Sequence, residues 1–175
     1  MSQSPAQPKV QLITDELIDS VTEKARQSPR RRMNYNFHAS NEDNPHRFLN
    51  VFLERSYVQP HRHLRHPKAE SFIVLEGHMA AFTFDDDGNV TSGYILGPGS
   101  FNGQTPAKIA QTARSTGIDI APGVWHTITA VSPVAVCYEV KPGPWDPATD
   151  KDMAPWAPQE GSAEVERYLN GLLKS

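Results

Sequence analysis

Apolar positions in this chain alternate with polar ones over short stretches, and recur at helical spacing only near the two ends. Near the start, Leu17, Ile18, Val21 and Ala25 fall on one stripe, the spacing of a single helix face. Thr14 supplies an N-cap, Asp15 and Glu16 fill the first turn, and Pro29 ends the helix. Near the other end, Ser162 is expected to cap a helix that carries Val165, Tyr168, Leu169 and Leu172 on one side. The intervening chain reads as about nine or ten short strands separated by turn signals. Met33 to His38 alternates, with Tyr35 and Phe37 on one face. Arg47 to Glu54 is largely apolar, Phe72 to Leu75 is apolar on both faces, and Val134 to Val140 is a core strand. Further strands are expected at His78 to Phe84, at Val90 to Leu96, at Ile118 to Ile120, and around Trp125 and His126. Residues 100–117, rich in Gly, Thr and Ser, read as two short strands with a loop.

Turn chemistry supports that division. Asn41 to Pro45 is a cluster of turn formers, Gly97-Pro98-Gly99 breaks one strand, and Pro142-Gly143-Pro144 closes another. Asp85-Asp86-Asp87-Gly88-Asn89 is a hairpin turn with Gly88 at positive φ. Its acids do not make a calcium loop, because the later glutamate and the flanking helix of that motif are missing. Strands with no helical crossovers give an all-β antiparallel sandwich or barrel. The organisation expected is an arm and helix over 1–33, a barrel over 34–145, and a Pro/Trp-rich tail with a C-terminal helix over 146–175. Residues 1–10 read as a loose arm.

Composition narrows the classes. A chain of 175 residues buries a real core without disulfides, and the single cysteine, Cys137, has no partner for one. That indicates a reducing compartment and a cytoplasmic protein. The net charge of -3 argues against a sequence-independent nucleic-acid binder. No apolar run is long enough to cross a bilayer, and the first residues lack a signal peptide's basic and apolar regions. Strands apolar on both faces, together with Trp145 and Trp156 in the tail, leave apolar surface that a homodimer would cover.

The chemistry-bearing stretch is Tyr57-Val58-Gln59-Pro60-His61-Arg62-His63. In an extended strand His61 and His63 point the same way. Glu70 opens a second apolar run that ends at Gly77, and Pro122-Gly123-Val124-Trp125-His126 brings a third imidazole. Three imidazoles and one carboxylate suit a divalent Fe, Mn, Ni, Co or Zn ion. Arg30, Arg31 and Arg32 form either a solvated surface patch or an anion clamp, since the guanidinium fork matches phosphate. His38, Tyr35 and Tyr57 are the candidates for catalysis, and Gln59 joins the three arginines as a substrate-binding candidate.

These motifs resemble those of the cupins. His61, His63, Glu70 and Gly77 follow the first cupin motif, and Gly123 with His126 follows the second. The chain departs from the pattern in three places. Arg55 stands where a glycine precedes the first histidine, the spacer from His63 to Glu70 is longer, and Ala130 stands where the second motif closes on Asn. Among cupins the chain is most similar to the WbuC family of cupin-fold metalloproteins. The matching stretches include Asn34 to His38, Arg47 to Asn50, Phe84 to Gly88, Glu139 to Pro144, and Asp150-Lys151-Asp152 with Ala154 to Pro158. The resemblance implies an all-β double-stranded β-helix (a jelly-roll barrel) with short N- and C-terminal helices. It also implies metal binding by His61, His63, Glu70 and His126, and a setting among bacterial surface-polysaccharide (O-antigen) genes. It does not supply a reaction. An open metal centre is consistent with a metal-dependent dioxygenase or isomerase acting on a small sugar-related or hydroxy-carbonyl molecule. The other classes are a non-catalytic binding or sensor module and a metal-independent sugar epimerase with a His base and a Tyr acid.

Overall fold

The computed structural model describes residues 8–110 and 113–174; the reading of an arm at residues 1–7 lies outside them. Helix α1 (Asp15–Gln27) begins at the expected cap, where the Thr14 hydroxyl accepts a hydrogen bond from the Leu17 amide at 3.3 Å. Ten strands follow: β1 (Arg32–Asn36), β2 (His46–Leu53), β3 (His61–Arg62), β4 (Glu70–Glu76), β5 (Met79–Phe84), β6 (Val90–Leu96), β7 (Gly117–Ile120), β8 (Trp125–Ala130), β9 (Val134–Lys141) and β10 (Asp152–Met153). Helix α2 (Val165–Leu173) comes last. The strands form two five-stranded antiparallel sheets, ordered β1-β2-β9-β4-β7 and β10-β3-β8-β5-β6. This is the all-β antiparallel architecture that the turn-punctuated pattern implied, in the jelly-roll form with a helix near each end that the resemblance implied.

The lumen between the sheets is filled by Phe52, Phe72, Val74, Met79, Ile120 and Ile128 among others. Outside the first sheet, α1 lays Ile18, Val21 and Ala25 against Leu49, Val51 and Val136. It covers β1, β2 and β9 but leaves the outer face of β4 bare, where Ile73 is 55% and Leu75 36% exposed. Outside the second sheet, the tail and α2 bring Ala154, Ala157 and Leu172 onto Phe82, Phe84 and Trp125. Trp156 packs beside Phe84 and Trp125, at ring separations of 5.0 and 6.0 Å. It therefore fastens the tail to the barrel, while Trp145 remains half-exposed.

Three local expectations differ. Residues 100–110 and 113–116 contain no named strand, only a bridge from Ser115 to Leu96, because that stretch lacks the alternating apolar positions a ladder needs. Ser162 does not cap α2. The chain makes turns first, with the Ser162 amide bonded to the Gln159 carbonyl and the Val165 amide to the Ser162 carbonyl, and Glu164 precedes the helix without a side-chain cap. The strand around His61 is only two residues long, because Tyr57 to Pro60 leave the ladder.

Where the family pattern has glycine, Arg55 itself adopts the left-handed conformation, at φ 60. That conformation costs a non-glycine residue roughly 1–2 kcal/mol. Hydrogen bonds from its amide to the Ala130 carbonyl at 3.0 Å and from Nη2 to Asn170 Oδ1 at 2.6 Å hold it there. Gly77 is required by its turn. At φ +66 an added Cβ would lie 2.1 Å from the Val134 carbonyl oxygen.

Candidate metal centre

His61 and His126 face each other directly across the β3–β8 ladder. Alternation along β8 sends His126, Ile128 and Ala130 to the lumen and Trp125 to the outer layer. His63 lies two residues beyond His61 and shares its face. Glu70 opens β4 in the opposite sheet, so the four side chains close on one point from both walls of the barrel. All four are buried, and one ligand atom from each lies within 4.8 Å of every other.

Backbone carbonyls fix the tautomers. The Nδ1 of His61 lies 3.0 Å from the Gln59 carbonyl, that of His126 lies 2.9 Å from the Val124 carbonyl, and that of His63 contacts the Asp150 carbonyl. A carbonyl oxygen only accepts, so each Nδ1 carries the proton and each Nε2 presents a lone pair inward. His63 Nε2 is 2.9 Å from Glu70 Oε1 and His126 Nε2 is 3.1 Å from Glu70 Oε2. Acceptors at that range repel unless a cation lies between them. A proton on one ring serves one pair only, and buried His61 Nε2 still has no hydrogen-bond partner. One divalent ion serves all four atoms. Ligands about 2.0–2.2 Å from an ion and at right angles to one another are about 3 Å apart, which matches both separations. Burial, then the nearby Lys151 charge, pushes the His61 imidazolium well down, leaving the ring neutral for ligation. Burial alone would raise the Glu70 carboxyl. The Lys141 ammonium at 3.1 Å outweighs it and holds the carboxyl well below the usual range. The residues present fit a metal ion.

The centre forms part of the wall of a cavity of about 730 Å³. Alternation along β1 turns Arg32, Asn34 and Asn36 into this cavity, and β2 adds Phe48, Asn50 and Phe52. The tail walls the opposite side with Trp145, Pro147, Asp150, Lys151 and Met153. The tail thus both fastens itself to the barrel and shapes the cavity. Asp150 anchors it, with Lys68 Nζ at 2.9 Å and Lys141 Nζ at 3.4 Å from its carboxylate oxygens.

The residues proposed from sequence separate into two groups. Gln59, His38, Arg30 and Arg32 line the cavity. His38 stacks on His46 at 4.1 Å. The Arg32 guanidinium is already engaged, by both Glu160 carboxylate oxygens at 2.7 and 2.9 Å and by the Tyr57 carbonyl. The other three are placed elsewhere. Arg31 turns away, its Nη2 donating to the Glu54 carbonyl at 3.3 Å. Tyr35 shares the Phe37 face of β1 beneath α1, and its hydroxyl donates to Gln11 Oε1 at 2.9 Å. Tyr57 escapes the period of two because its segment leaves the ladder. Its hydroxyl donates to the Pro158 carbonyl at 2.7 Å, and its ring meets Tyr168 of α2. Neither tyrosine is among the residues that line the cavity.

In their place the structure brings in Glu139 and Lys141. Lys141 Nζ reaches Glu70 at 3.1 Å and Glu139 at 3.6 Å, and Asn50 Nδ2 donates to Glu139 Oε2 at 2.6 Å. Burial, then the Glu70 charge, pushes the Glu139 carboxyl up. Burial opposes the Lys141 charge, but the three surrounding carboxylates push its ammonium up nonetheless. A sequence signal existed: both residues alternate with Cys137 on a core strand, so they share its inward face.

Residues 13–96 match the family model of a domain of unknown function, DUF6016, which covers less than half of the chain. No curated protein matches. Among solved structures, protein SO0799 from Shewanella oneidensis superposes with a TM-score of 0.52 at 7% identity, over 82% of this chain and 86% of that one. The capsular polysaccharide assembling protein CapF from Staphylococcus aureus gives 0.48 at 16% identity, over 70% of this chain. The chain spans only 31% of the length of CapF. KdgF from Halomonas sp. gives 0.45 at 13% identity, over 66% of this chain and 81% of that one. At these identities the similarity concerns the fold alone.

Proposed function

We propose that this chain is a metal-binding cupin of the WbuC type, with an open divalent-metal centre that holds a small sugar-related or hydroxy-carbonyl molecule. The observation that carries the reading is the convergence of three Nε2 lone pairs and the Glu70 carboxylate beside a cavity large enough for a sugar. A closed structural site would be walled on every side. Here the remaining space is lined by amides and charged groups set among apolar side chains such as Phe48, Phe52 and Trp145, the mixture that orients a polar ligand. His61, His63, Glu70 and His126 would hold the ion, and the three backbone carbonyls orient their rings. Bound there, a divalent ion supplies Lewis-acid polarisation of a substrate oxygen, or dioxygen chemistry where the ion is iron. Asn34, Asn36, Asn50 and Gln59 would bind and orient hydroxyl groups, while Trp145 shields the mouth. Glu139 and Lys141 stand where protons would be held and moved. The sequence resemblance supports a place in surface-polysaccharide biosynthesis. The metal-independent epimerase reading needs a tyrosine acid, and among the described residues no tyrosine lines the cavity. A non-catalytic sensor shares the metal and differs only in turnover.

The test is native mass spectrometry with metal analysis on the purified chain. His61→Ala, His63→Ala and His126→Ala should each strongly reduce bound metal, while His66→Ala and His78→Ala keep it. A full complement in His61→Ala would remove the assignment.

A further inference from the structure

Six charged side chains gather around the metal-proximal part of the cavity. Glu70, Glu139 and Asp150 are carboxylates; Lys68, Lys141 and Lys151 are ammoniums. Three against three is neutral before any ion is bound. A divalent ion at the four-ligand cluster therefore leaves two positive charges in excess, in a partly desolvated space where charge is poorly screened.

Lys151 is the ammonium with nothing to do. Lys68 is held by Asp150 and the Pro144 carbonyl, and Lys141 by Glu70, Asp150 and Glu139. Lys151 makes no hydrogen bond and no ion pair among the described residues, yet its side chain lines the cavity. It lines the same cavity as His61, Glu70, His126 and Glu139, so it faces the space beside the metal centre. Burial, then repulsion from Lys141, disfavours its charge. An ammonium kept so close to a cationic centre without a partner is a recognition group awaiting an anion. The Arg30 to Arg32 triplet is less suited to that task. Arg30 is exposed to solvent, Arg31 points away, and Arg32 already carries Glu160 as a bidentate partner.

We propose that Lys151 is the anion-recognising residue of this site, and that the ligand is a small hydroxy acid whose carboxylate sits between Lys151 and the metal centre. The inference rests on the metal-binding reading above. A carboxylate supplies the negative charge the site lacks once the ion is bound, and an adjacent hydroxyl gives the second oxygen of a chelating pair. The amides Asn34, Asn36 and Asn50 face the rest of the cavity and suit further hydroxyl groups.

The experiment compares D-gluconate with D-glucitol, which differ only in carboxylate against CH₂OH at one end, and with inorganic phosphate. Binding to the cobalt-loaded protein is measured by calorimetry, with metal content determined on the same samples. Gluconate should bind at least about tenfold more tightly than glucitol, the factor expected of one charge-assisted contact. Lys151→Met should abolish that preference with metal content unchanged, and Lys151→Arg should restore most of it. Arg31→Ala should leave it within about twofold, because that guanidinium turns away to the Glu54 carbonyl and an exposed charge contributes little. Equal affinity for gluconate and glucitol in metal-loaded wild type would overturn the proposal, as would an undiminished preference in folded, loaded Lys151→Met. Phosphate binding with no gluconate binding would overturn the carboxylate assignment. A chain that takes up no cobalt instead overturns the metal reading, so the two failures are distinct.

Discussion

Asp150 offers the sharpest test of how the tail and the barrel are joined. Its carboxylate is 2.9 Å from Lys68 Nζ and 3.4 Å from Lys141 Nζ, with Lys68 and Asp150 side chains 5% and 3% exposed. At an effective dielectric constant of about 20, those separations correspond to gross attractions of about 6 and about 5 kcal/mol. Removing the ions from water costs several kcal/mol each, so the intact network gains little net stability. The truncated one behaves differently. In Asp150→Ala the Lys68 ammonium stays buried with only the Pro144 carbonyl to receive it, while Lys141 keeps Glu70 and Glu139. The loss should therefore be that of a broken buried pair, about 3–5 kcal/mol, a large share of the 5–15 kcal/mol that typically holds a domain folded.

Urea unfolding of the chelated protein measures this directly, free of any metal contribution. Most of the cost belongs to the stranded ammonium, so Lys68→Met in the Asp150→Ala background should recover stability instead of adding a second loss. The coupling should fall toward the upper end of the roughly 0.5–3 kcal/mol seen for contacting pairs. The Asp150 carbonyl also orients His63. Displacing it should weaken metal binding about 10–100-fold, as loss of an outer partner typically does. An Asp150→Ala protein within about 0.5 kcal/mol of wild type, or a double variant showing simple addition, would refute the reasoning.

Chelation of the wild-type chain should leave the β-sheet signal intact and lower the melting temperature modestly, because the core forms without the ion. The linked stabilisation is about 3–4 kcal/mol when free metal is several hundred to a thousand times Kd, and re-adding metal should restore the curve; an apo-protein unfolded at room temperature would make the ion structural. A cobalt-substituted protein should change its spectrum when a small bidentate ligand is added, and indifference to every ligand would count against an open centre. The bare outer face of β4 is proposed to be covered by a second copy of this chain, so sedimentation at micromolar concentration should show a dimer, and Ile73→Lys should dissociate it. A wild-type protein that sediments only as monomer would reject the dimer.

Legibility from sequence followed local period. Alternation placed β1, β2, β4, β5, β6, β8 and β9 closely, because each is half or wholly buried and its side chains must choose a face. Of the four clustered residues, His61 and His63 were legible for the same reason, sharing a face by parity, while Glu70 and His126 were marked by their places at the head of an apolar run and after a Pro-Gly turn. What failed was what local pattern does not encode. Tyr57 has the parity of His61, but its segment is drawn out of the ladder, where Thr127 and Thr129 hydroxyls donate to the Val58 and Ser56 carbonyls. Arg32 looked free until a glutamate 128 residues away reached it. Lys151 and Asp150 lie in a stretch without periodicity, and only the pairing of β10 with β3 brings them to the metal centre.

That pairing bears on how the site works. β3 is weakly held in its sheet, joined to β8 through the single pair His61 and His126 and to β10 through two. The tail is its other neighbour, and the tail also holds His63 through the Asp150 carbonyl and supplies Lys151 and Trp145 to the cavity. Metal binding and tail docking therefore act on the same imidazole. Whatever affinity the docked tail adds for the ion, the bound ion must add to the docking of the tail. An opening of the tail would loosen His63 and remove the anion-recognising ammonium in one movement, and the half-exposed Trp145 at the mouth would leave with it. Retention of the ion, recognition of a charged ligand and closure of the cavity are thus joined in one short segment, whose anchor is a buried ion-pair network and not the sheet alone.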